Sequence, residues 1–166
     1  MEPQYSPKET ISRFEKLLAE LAAQGVDFAV VGGLAVILNG YPRATIDVDI
    51  LVNEKADNIR NLLDSLKGWG EGFARDLKPE DFRAEEGAIR IVEEFPLDIF
   101  TRMLGKTLDD FRGRLRFFET GGIRIPYLAP EDLVFLKQNS WRDKDKMDTV
   151  AMREIMTREN QQGDNK

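Results

Sequence analysis

Apolar positions along the chain recur with two different periods, and together they predict an alternation of helices and strands. The first pattern has the spacing of an amphipathic helix, which begins at the Ser6-Pro7 start signal and ends near Gly25. Its apolar side consists of Ile11, Phe14, Leu17, Leu18 and Leu21. A second helical stripe covers residues 56–66 and precedes a glycine-rich loop.

Between these two helices the pattern changes quickly. The apolar run DFAVV, which begins at Asp27, predicts a buried strand, and Gly32-Gly33 ends it with a tight turn. The run LAVILN then predicts a short helix that ends at Gly40. The sequence therefore predicts the order strand, glycine turn and helix.

The next run, IDVDILV, alternates in the manner of a strand with one buried face. Ile46 and every second residue after it are β-branched and apolar, so we expect them to face the core. Asp47, Asp49 and Leu51 occupy the other face. The two carboxylates therefore point in the same direction.

The second half of the chain predicts further strands and two final helices. Residues 82–100 contain the strand-like runs AIRIV and FPLDIF, and Gly121-Gly122 joins RLRFFET to IRIPYL as a hairpin. A helix begins at Pro130. The last helix carries an apolar side of Met147, Val150, Ala151 and Ile155.

Length and linkers predict a single domain over residues 1–157. Its core motifs lie within residues 27–101, and residues 130–157 form a C-terminal helical part. Residues 158–166 are almost devoid of apolar side chains, which predicts a disordered tail.

Composition restricts the possible chemistry. The 166 residues include 24 Lys and Arg against 30 Asp and Glu, for a net charge of −6, and there is no Cys or His. Disulfides, thiolate zinc sites and imidazole catalysis are thus excluded. The negative charge does not favour non-specific nucleic-acid binding. The sequence lacks an apolar stretch of the ~20 residues that a membrane span requires, so we expect a cytoplasmic protein with no membrane partner.

The pair Asp47 and Asp49 is the first candidate for chemistry. An ionised carboxylate in an apolar strand is costly unless it is paired or binds a cation, and two on one face suit a hard metal ion. The alternative is that this strand face is exposed to solvent. Chance alone produces such a spacing, as a second pair at Asp143 and Asp145 illustrates.

Three further features accompany this pair. Gly32-Gly33 at a strand-to-helix junction is typical of a phosphate seat, although a turn without a ligand fits equally well. Asp98 lies among apolar residues of a predicted strand, where a surface carboxylate is the alternative. The polar run that contains Lys137, Arg142, Lys144, Asp145 and Asp148 suits a triphosphate or, more simply, a solvated helix face.

Taken together, these residues resemble a known signature. The string GGLAVILNGYPRATIDVDILV, in which thirteen residues separate Gly-Gly from the Asp pair, is similar to the DNA-polymerase-β-like nucleotidyltransferase superfamily. Asp98 resembles that family's third carboxylate. The segment Arg43-Ala44-Thr45 and the C-terminal LAPEDLVFLKQNSWRDKDKMDTVAM resemble the small stand-alone prokaryotic members, including nucleotidyltransferase toxins of abortive-infection systems.

The resemblance implies an α+β (α/β) fold, a small mixed sheet with helices mainly on one side. It also implies a magnesium-dependent enzyme that moves NMP from an NTP to a hydroxyl. Asp47, Asp49 and Asp98 would hold two Mg²⁺ ions, and Asp98 would also accept the proton of the nucleophile. Gly32 and Gly33 would approach the phosphates.

Arg43, Thr45 and Lys137 are further candidates for phosphate or acceptor contacts. Many members of the superfamily have Gly-Ser where this chain has Gly-Gly, so one hydroxyl is missing. The acceptor remains open among RNA, a protein and a small molecule. The small size suggests either a compact acceptor site or a partner protein or homodimer that completes the site. The alternative function is a non-catalytic nucleotide-binding or antitoxin-like module of a toxin–antitoxin pair.

Overall fold

Residues 7–164 form one mixed six-stranded sheet with six α-helices. The structure is a computed structural model, which describes these residues and, in the first helix, the side chains of residue 12 and of residue 14 onward. The helices are α1 (Pro7–Ala23), α2 (Gly32–Leu38), α3 (Ala56–Leu66), α4 (Leu108–Phe111), α5 (Pro130–Lys137) and α6 (Asp143–Asp164). The strands are β1 (Phe28–Val31), β2 (Val48–Val52), β3 (Ala88–Val92), β4 (Pro96–Phe100), β5 (Arg116–Thr120) and β6 (Ile123–Tyr127).

The strand order is β3-β4-β2-β1-β6-β5. The pairs β1/β2, β3/β4 and β5/β6 are antiparallel, whereas β2/β4 and β1/β6 are parallel. This mixed sheet with its helices confirms the predicted α+β class. The predicted helix and strand order across residues 27–66 is also confirmed, and α2 begins directly at the glycine turn.

The centre of the sheet is more deeply buried than the alternation of apolar and polar residues in IDVDILV predicted. Val48, Ile50 and Leu51 are all inaccessible to solvent, so both faces of β2 are covered in its second half. Ile46 was expected on the buried face but is 68% exposed, because it precedes the strand. The expectation of one buried and one open face was therefore wrong.

The predicted hairpin is confirmed. β5 pairs with β6, and Gly121 and Gly122 have φ angles of +55° and +79° at the turn between them. Two successive positive φ values are the requirement of the tightest hairpin turns, which glycine meets without steric cost.

The last helix buries a side that only partly coincides with the predicted one, because Ala151 is buried and Ile155 packs against the core, as expected, but two other residues do not. Met147 and Val150 are 59% and 56% exposed, while Asp148, Ala151 and Met152 are buried. The apolar pattern failed here because the residue at the centre of the buried side is a carboxylate. Asp148 is buried because two basic side chains neutralise it, as described below.

The C-terminal segment also differs from the expectation of a disordered tail. α6 continues through residue 164, so residues 158–164 are helical. Glu159 accepts two hydrogen bonds from Arg116 of β5, at 2.8 and 2.6 Å, which ties this part of the helix to the sheet. The Ser6 cap, the side chain of Ile11 and residues 165–166 lie outside the described residues. Within residues 7–164, no helix combines the length and the apolar character needed to span a membrane.

Candidate active site

Two of the three predicted carboxylates are neighbours because of strand register. β2 and β4 are parallel, and Asp49 lies directly beside Asp98 in that pairing. Asp47 is two residues before Asp49, at the entrance to β2. Asp98 is only 8% exposed, so its carboxylate lies at the bottom of the cluster. The structure therefore brings Asp47, Asp49 and Asp98 together, as the sequence predicted.

This carboxylate cluster has an excess of negative charge. Burial, and then the negative charges of Asp98 and Asp47, raise the pKa of Asp49 to about 7. The positive charge of Lys137 opposes this shift. A carboxyl group with such a pKa lacks a sufficient positive partner.

Arg90 of β3 supplies the partner of the other two carboxylates, and sequence reasoning missed it. Its Nε donates to Asp98 Oδ1 at 2.8 Å, and its Nη2 donates to Asp98 Oδ2 at 2.9 Å and to Asp47 Oδ2 at 3.1 Å. The hydrogen bonds to Asp98 raise the pKa of Arg90 further above its usual value. Arg90 is thus a fully charged fork across two carboxylates.

A signal for Arg90 was present in the sequence. β3 and β4 are antiparallel and turn at the charged pair Glu93-Glu94, so residue 90 lies opposite residue 98. Treating the two strand-like runs as a hairpin centred on that pair would have placed Arg90 beside Asp98.

The glycine turn packs directly against the carboxylate cluster. Gly32 has a φ of +64°, and a Cβ at this position would overlap the Asp49 carboxylate. A Cβ on Gly33 would lie 2.5 Å from Arg43 Nη2 and 3.2 Å from Thr45 Oγ1. The absence of side chains at both positions is therefore what allows Asp49, Arg43 and Thr45 to approach the turn.

Four of the remaining predicted residues form a second cluster: Arg43, Lys137, Asp145 and Asp148. Arg43 Nε and Nη2 lie 2.9 and 3.0 Å from the two carboxylate oxygens of Asp148. Lys137 Nζ donates to Asp145 at 2.8 Å and to Asp148 at 2.9 Å. Asp148 is completely buried. We call this group the Asp148 cluster.

The Asp148 cluster changes the interpretation of the predicted cations. Arg43 and Lys137 do lie near the glycine turn and Asp49, but each already has a carboxylate partner. The expectation of a simple solvated face is wrong for Lys137 and Asp145, whose side chains are only 13% and 18% exposed. Arg142 and Lys144 of the same run are exposed.

The donor set partly fits a metal ion. Asp47 Oδ1 is buried without a hydrogen-bond partner, and carboxylate oxygens are the ligands that Mg²⁺ prefers. In the arrangement of residues 7–164, however, no three acidic side chains are placed to hold one ion together. Arg90 donates hydrogen bonds to both oxygens of Asp98 and to one of Asp47. The chemistry of the donors fits Mg²⁺, whereas their present arrangement does not bring three of them around one ion.

Comparison with known families supplies the identification that the geometry suggests. Residues 10–158 match the family described as nucleotidyltransferase of unknown function, DUF6036. The chain belongs to this nucleotidyltransferase family. The match includes both clusters and the glycine turn. A search of curated proteins found no match.

Two crystal structures share the fold of this nucleotidyltransferase-family chain. One is a provisionally assigned nucleotidyltransferase from Thermotoga maritima, with 19% identity, a TM-score of 0.55, and coverage of 96% of this chain and 98% of its own. The other is an antigenic nucleotidyltransferase-like protein from Paracoccidioides brasiliensis, with 21% identity and a TM-score of 0.50, covering 89% and 76% of the two chains. These similarities support the fold assignment.

Proposed function

We propose that this protein transfers a nucleoside monophosphate from an NTP to a hydroxyl acceptor. The observation that carries the proposal is the pairing of β2 with β4, which aligns Asp49 with Asp98 beneath the Gly32 turn. A catalytic site for this reaction needs clustered carboxylates beside a backbone segment that phosphates can approach.

The transfer step balances without a covalent enzyme intermediate. The acceptor hydroxyl oxygen bonds to the α-phosphorus, the bond from that phosphorus to the bridging oxygen breaks, and pyrophosphate leaves with the electron pair. The hydroxyl proton goes to a carboxylate, a role that we propose for Asp98. Asp98 is available for it only after Arg90 has left, because both of its oxygens accept hydrogen bonds from Arg90.

We propose Asp47, Asp49 and Asp98 as the residues that hold Mg²⁺. The bound ions would neutralise the charge that develops on the phosphates. Gly32 and Gly33 present backbone that phosphates can approach without meeting a side chain. Arg43, Thr45 and Lys137 border that turn and Asp49, and we propose them as secondary contacts.

A second candidate function is a nucleotide-binding or antitoxin-like module without catalysis. One observation favours it: Arg90, Arg43 and Lys137 are all held by carboxylates, which is the arrangement of a stable, closed site. Under either function the acceptor or partner is an RNA, a protein or a small molecule, and a toxin–antitoxin role depends on which of these binds.

Calorimetric binding of ATP, CTP, GTP and UTP, each with and without Mg²⁺, tests the nucleotide site. The variant carries Asp47→Asn and Asp49→Asn together. Its control carries Asp57→Asn and Asp64→Asn, which remove two carboxylates from the exposed side of α3, where the side chains are 98% and 67% accessible.

Mg²⁺-dependent binding that is lost in the site variant and kept in the control supports the nucleotide site. The bound nucleotide, labelled at the α-phosphate, is then incubated with RNA, protein and aminoglycoside acceptors. Transfer of label supports the enzyme, whereas tight binding without transfer to any acceptor class supports the module. Equal binding by wild type and site variant would contradict both.

A further inference from the structure

Arg90 differs from Arg43 and Lys137, the paired cations of the Asp148 cluster, in its exposure to solvent. Its side chain is 52% exposed, although it makes three hydrogen bonds to Asp98 and Asp47. Arg43 and Lys137 are only 19% and 13% exposed and are fixed on the fully buried Asp148. Departure of Arg90 into solvent would therefore not uncover the core, whereas departure of Arg43 or Lys137 would take positive charge away from the buried Asp148.

The oxygens that Arg90 occupies are those that a metal ion would need. Asp98 presents its two oxygens to the guanidinium, and Asp47 presents Oδ2, which leaves its buried Oδ1 unpartnered. A cation that enters this carboxylate cluster must displace these charge-assisted hydrogen bonds, which are among the stronger ones in proteins. Guanidinium and metal ion compete for the same carboxylates.

The charges also explain why a guanidinium is needed in the absence of metal. Three carboxylates are crowded where β2 begins beside the middle of β4, and their negative charges repel one another. Arg90 removes part of this repulsion by pairing with Asp98 and Asp47. Its removal would leave a cluster with a stronger attraction for any divalent cation.

We propose that Arg90 is a resident counter-ion that closes the carboxylate cluster to a metal ion alone and must leave Asp98 and Asp47 before the ion enters. The inference rests on the proposed function, in which these carboxylates bind Mg²⁺. It adds a residue of β3 to the site as a positioning residue, which controls when the cluster becomes available.

The experiment is a Mn²⁺ titration in the absence of nucleotide, followed by calorimetry and by the electron paramagnetic resonance signal of free Mn²⁺. The variant is Arg90→Gln. The matched control is Arg102→Gln, because Arg102 is 39% exposed and donates two hydrogen bonds, each of 3.2 Å, to Glu54. Both substitutions remove one half-exposed guanidinium that forms a fork on a carboxylate, but only Arg90 contacts the carboxylate cluster.

We expect Arg90→Gln to bind Mn²⁺ at least about tenfold more tightly than wild type, since one charge-assisted hydrogen bond corresponds to about that factor. Arg102→Gln should bind as wild type does. Arg90→Lys, which keeps the charge but not the fork, should lie between them. If Arg90→Gln fails to fold, the comparison of Arg90→Lys with wild type decides.

Equal Mn²⁺ affinity of wild type and the Arg90 variants would overturn the inference, and so would the absence of Mn²⁺ binding by all of them. The two proposals fail separately. Tighter Mn²⁺ binding by Arg90→Gln without any nucleotide transfer by wild type leaves the inference standing and contradicts the enzyme. Nucleotide transfer by wild type with unchanged Mn²⁺ affinity in the Arg90 variants supports the enzyme and overturns the inference.

Discussion

The two charged clusters lie on either side of the glycine turn, and they differ in how well their charges balance. In the Asp148 cluster, two carboxylates face two cations, and all four side chains are largely or completely buried. In the carboxylate cluster, the half-exposed Arg90 pairs with two of the three acids, Asp47 and Asp98. A buried balanced cluster fixes α6 and the segment before β2 in place, whereas a cluster that lacks positive charge is suited to take up a cation.

The largest expected effect is on transfer. Changing Asp47 and Asp49 together to Asn should reduce nucleotidyl transfer about a thousandfold, because the loss of preorganised charge at a reacting phosphate has effects of this size. The rate is measured with α-labelled nucleotide and the acceptor found in the screen. Circular dichroism should show an unchanged fold. Wild-type activity in the variant would remove the carboxylate cluster from the site.

The next effect is on the stability that the Asp148 cluster contributes to the fold. Asp148→Ala should lower the free energy of unfolding by about 3 kcal/mol, because it leaves Arg43 and Lys137 with too little negative charge in a buried position. Urea denaturation measures it. Asp64→Ala on the surface of α3 should cost less than about 1 kcal/mol. Equal losses in the two variants would show that the Asp148 cluster has no special structural role.

A third effect is the pH dependence of stability. For Asp49 its sign is opposite to that of an ion-paired carboxylate, because stability falls as the pH rises. The folded-state pKa of Asp49, about 7, lies above its ordinary value of 3.8, so the native state binds more protons than the unfolded state between these values. This contribution to stability is complete below pH 3.8 and is lost as the pH rises through about 7. The substitution Asp49→Asn removes this carboxyl group and, with it, the loss of stability as the pH rises.

Asp49→Asn should therefore be more stable than wild type by about 1 kcal/mol or more at pH 8, with a smaller difference at pH 5. Thermal unfolding in a metal-free buffer at the two pH values measures it. A variant less stable than wild type at pH 8 would contradict an excess of negative charge in the cluster.

The smallest effect concerns the glycine turn. Gly32→Ala should lower the free energy of unfolding by about 1 kcal/mol more than Gly121→Ala. Both glycines have positive φ angles, +64° and +55°, so both substitutions incur backbone strain. Only at residue 32 does the new methyl group meet a carboxylate, that of Asp49, while the space around Gly121 is open. Equal losses would mean that Asp49 moves aside freely.

Local sequence patterns predicted much of this molecule. The β5/β6 hairpin followed from two glycines between strand-like runs, and the common direction of Asp47 and Asp49 followed from the two-residue period of a strand. Asp98 was a candidate as a carboxylate among apolar residues of a predicted strand, but its place beside the Asp pair was supported only by the family resemblance, because strand order cannot be derived from periodicity alone.

The features that escaped prediction depend on contacts between distant segments. Asp148 is buried because it pairs with Arg43, which is 105 residues away in the sequence. For the same reason the apolar side of α6 could not be identified from spacing. Residues 158–164 are helical although their composition is polar, because Glu159 pairs with Arg116 of β5. Composition indicates the average conformational entropy that is lost when a segment becomes ordered. It does not show whether one ion-pair partner elsewhere in the chain offsets that loss.

The position of β3 in the sheet has a consequence for how the site can be observed. β3 is the first strand in the sheet order, so it has a hydrogen-bonded neighbour on one side only. Strands in such positions open more readily than interior ones, and their amide protons exchange with deuterium sooner. Arg90 belongs to this strand, whereas Asp49 lies in the interior strand β2 and Asp47 directly precedes β2. The rate of deuterium uptake by residues 88–92 therefore reports on the carboxylate cluster. Uptake is slow while Arg90 holds β3 to Asp98 and becomes faster once those hydrogen bonds are broken.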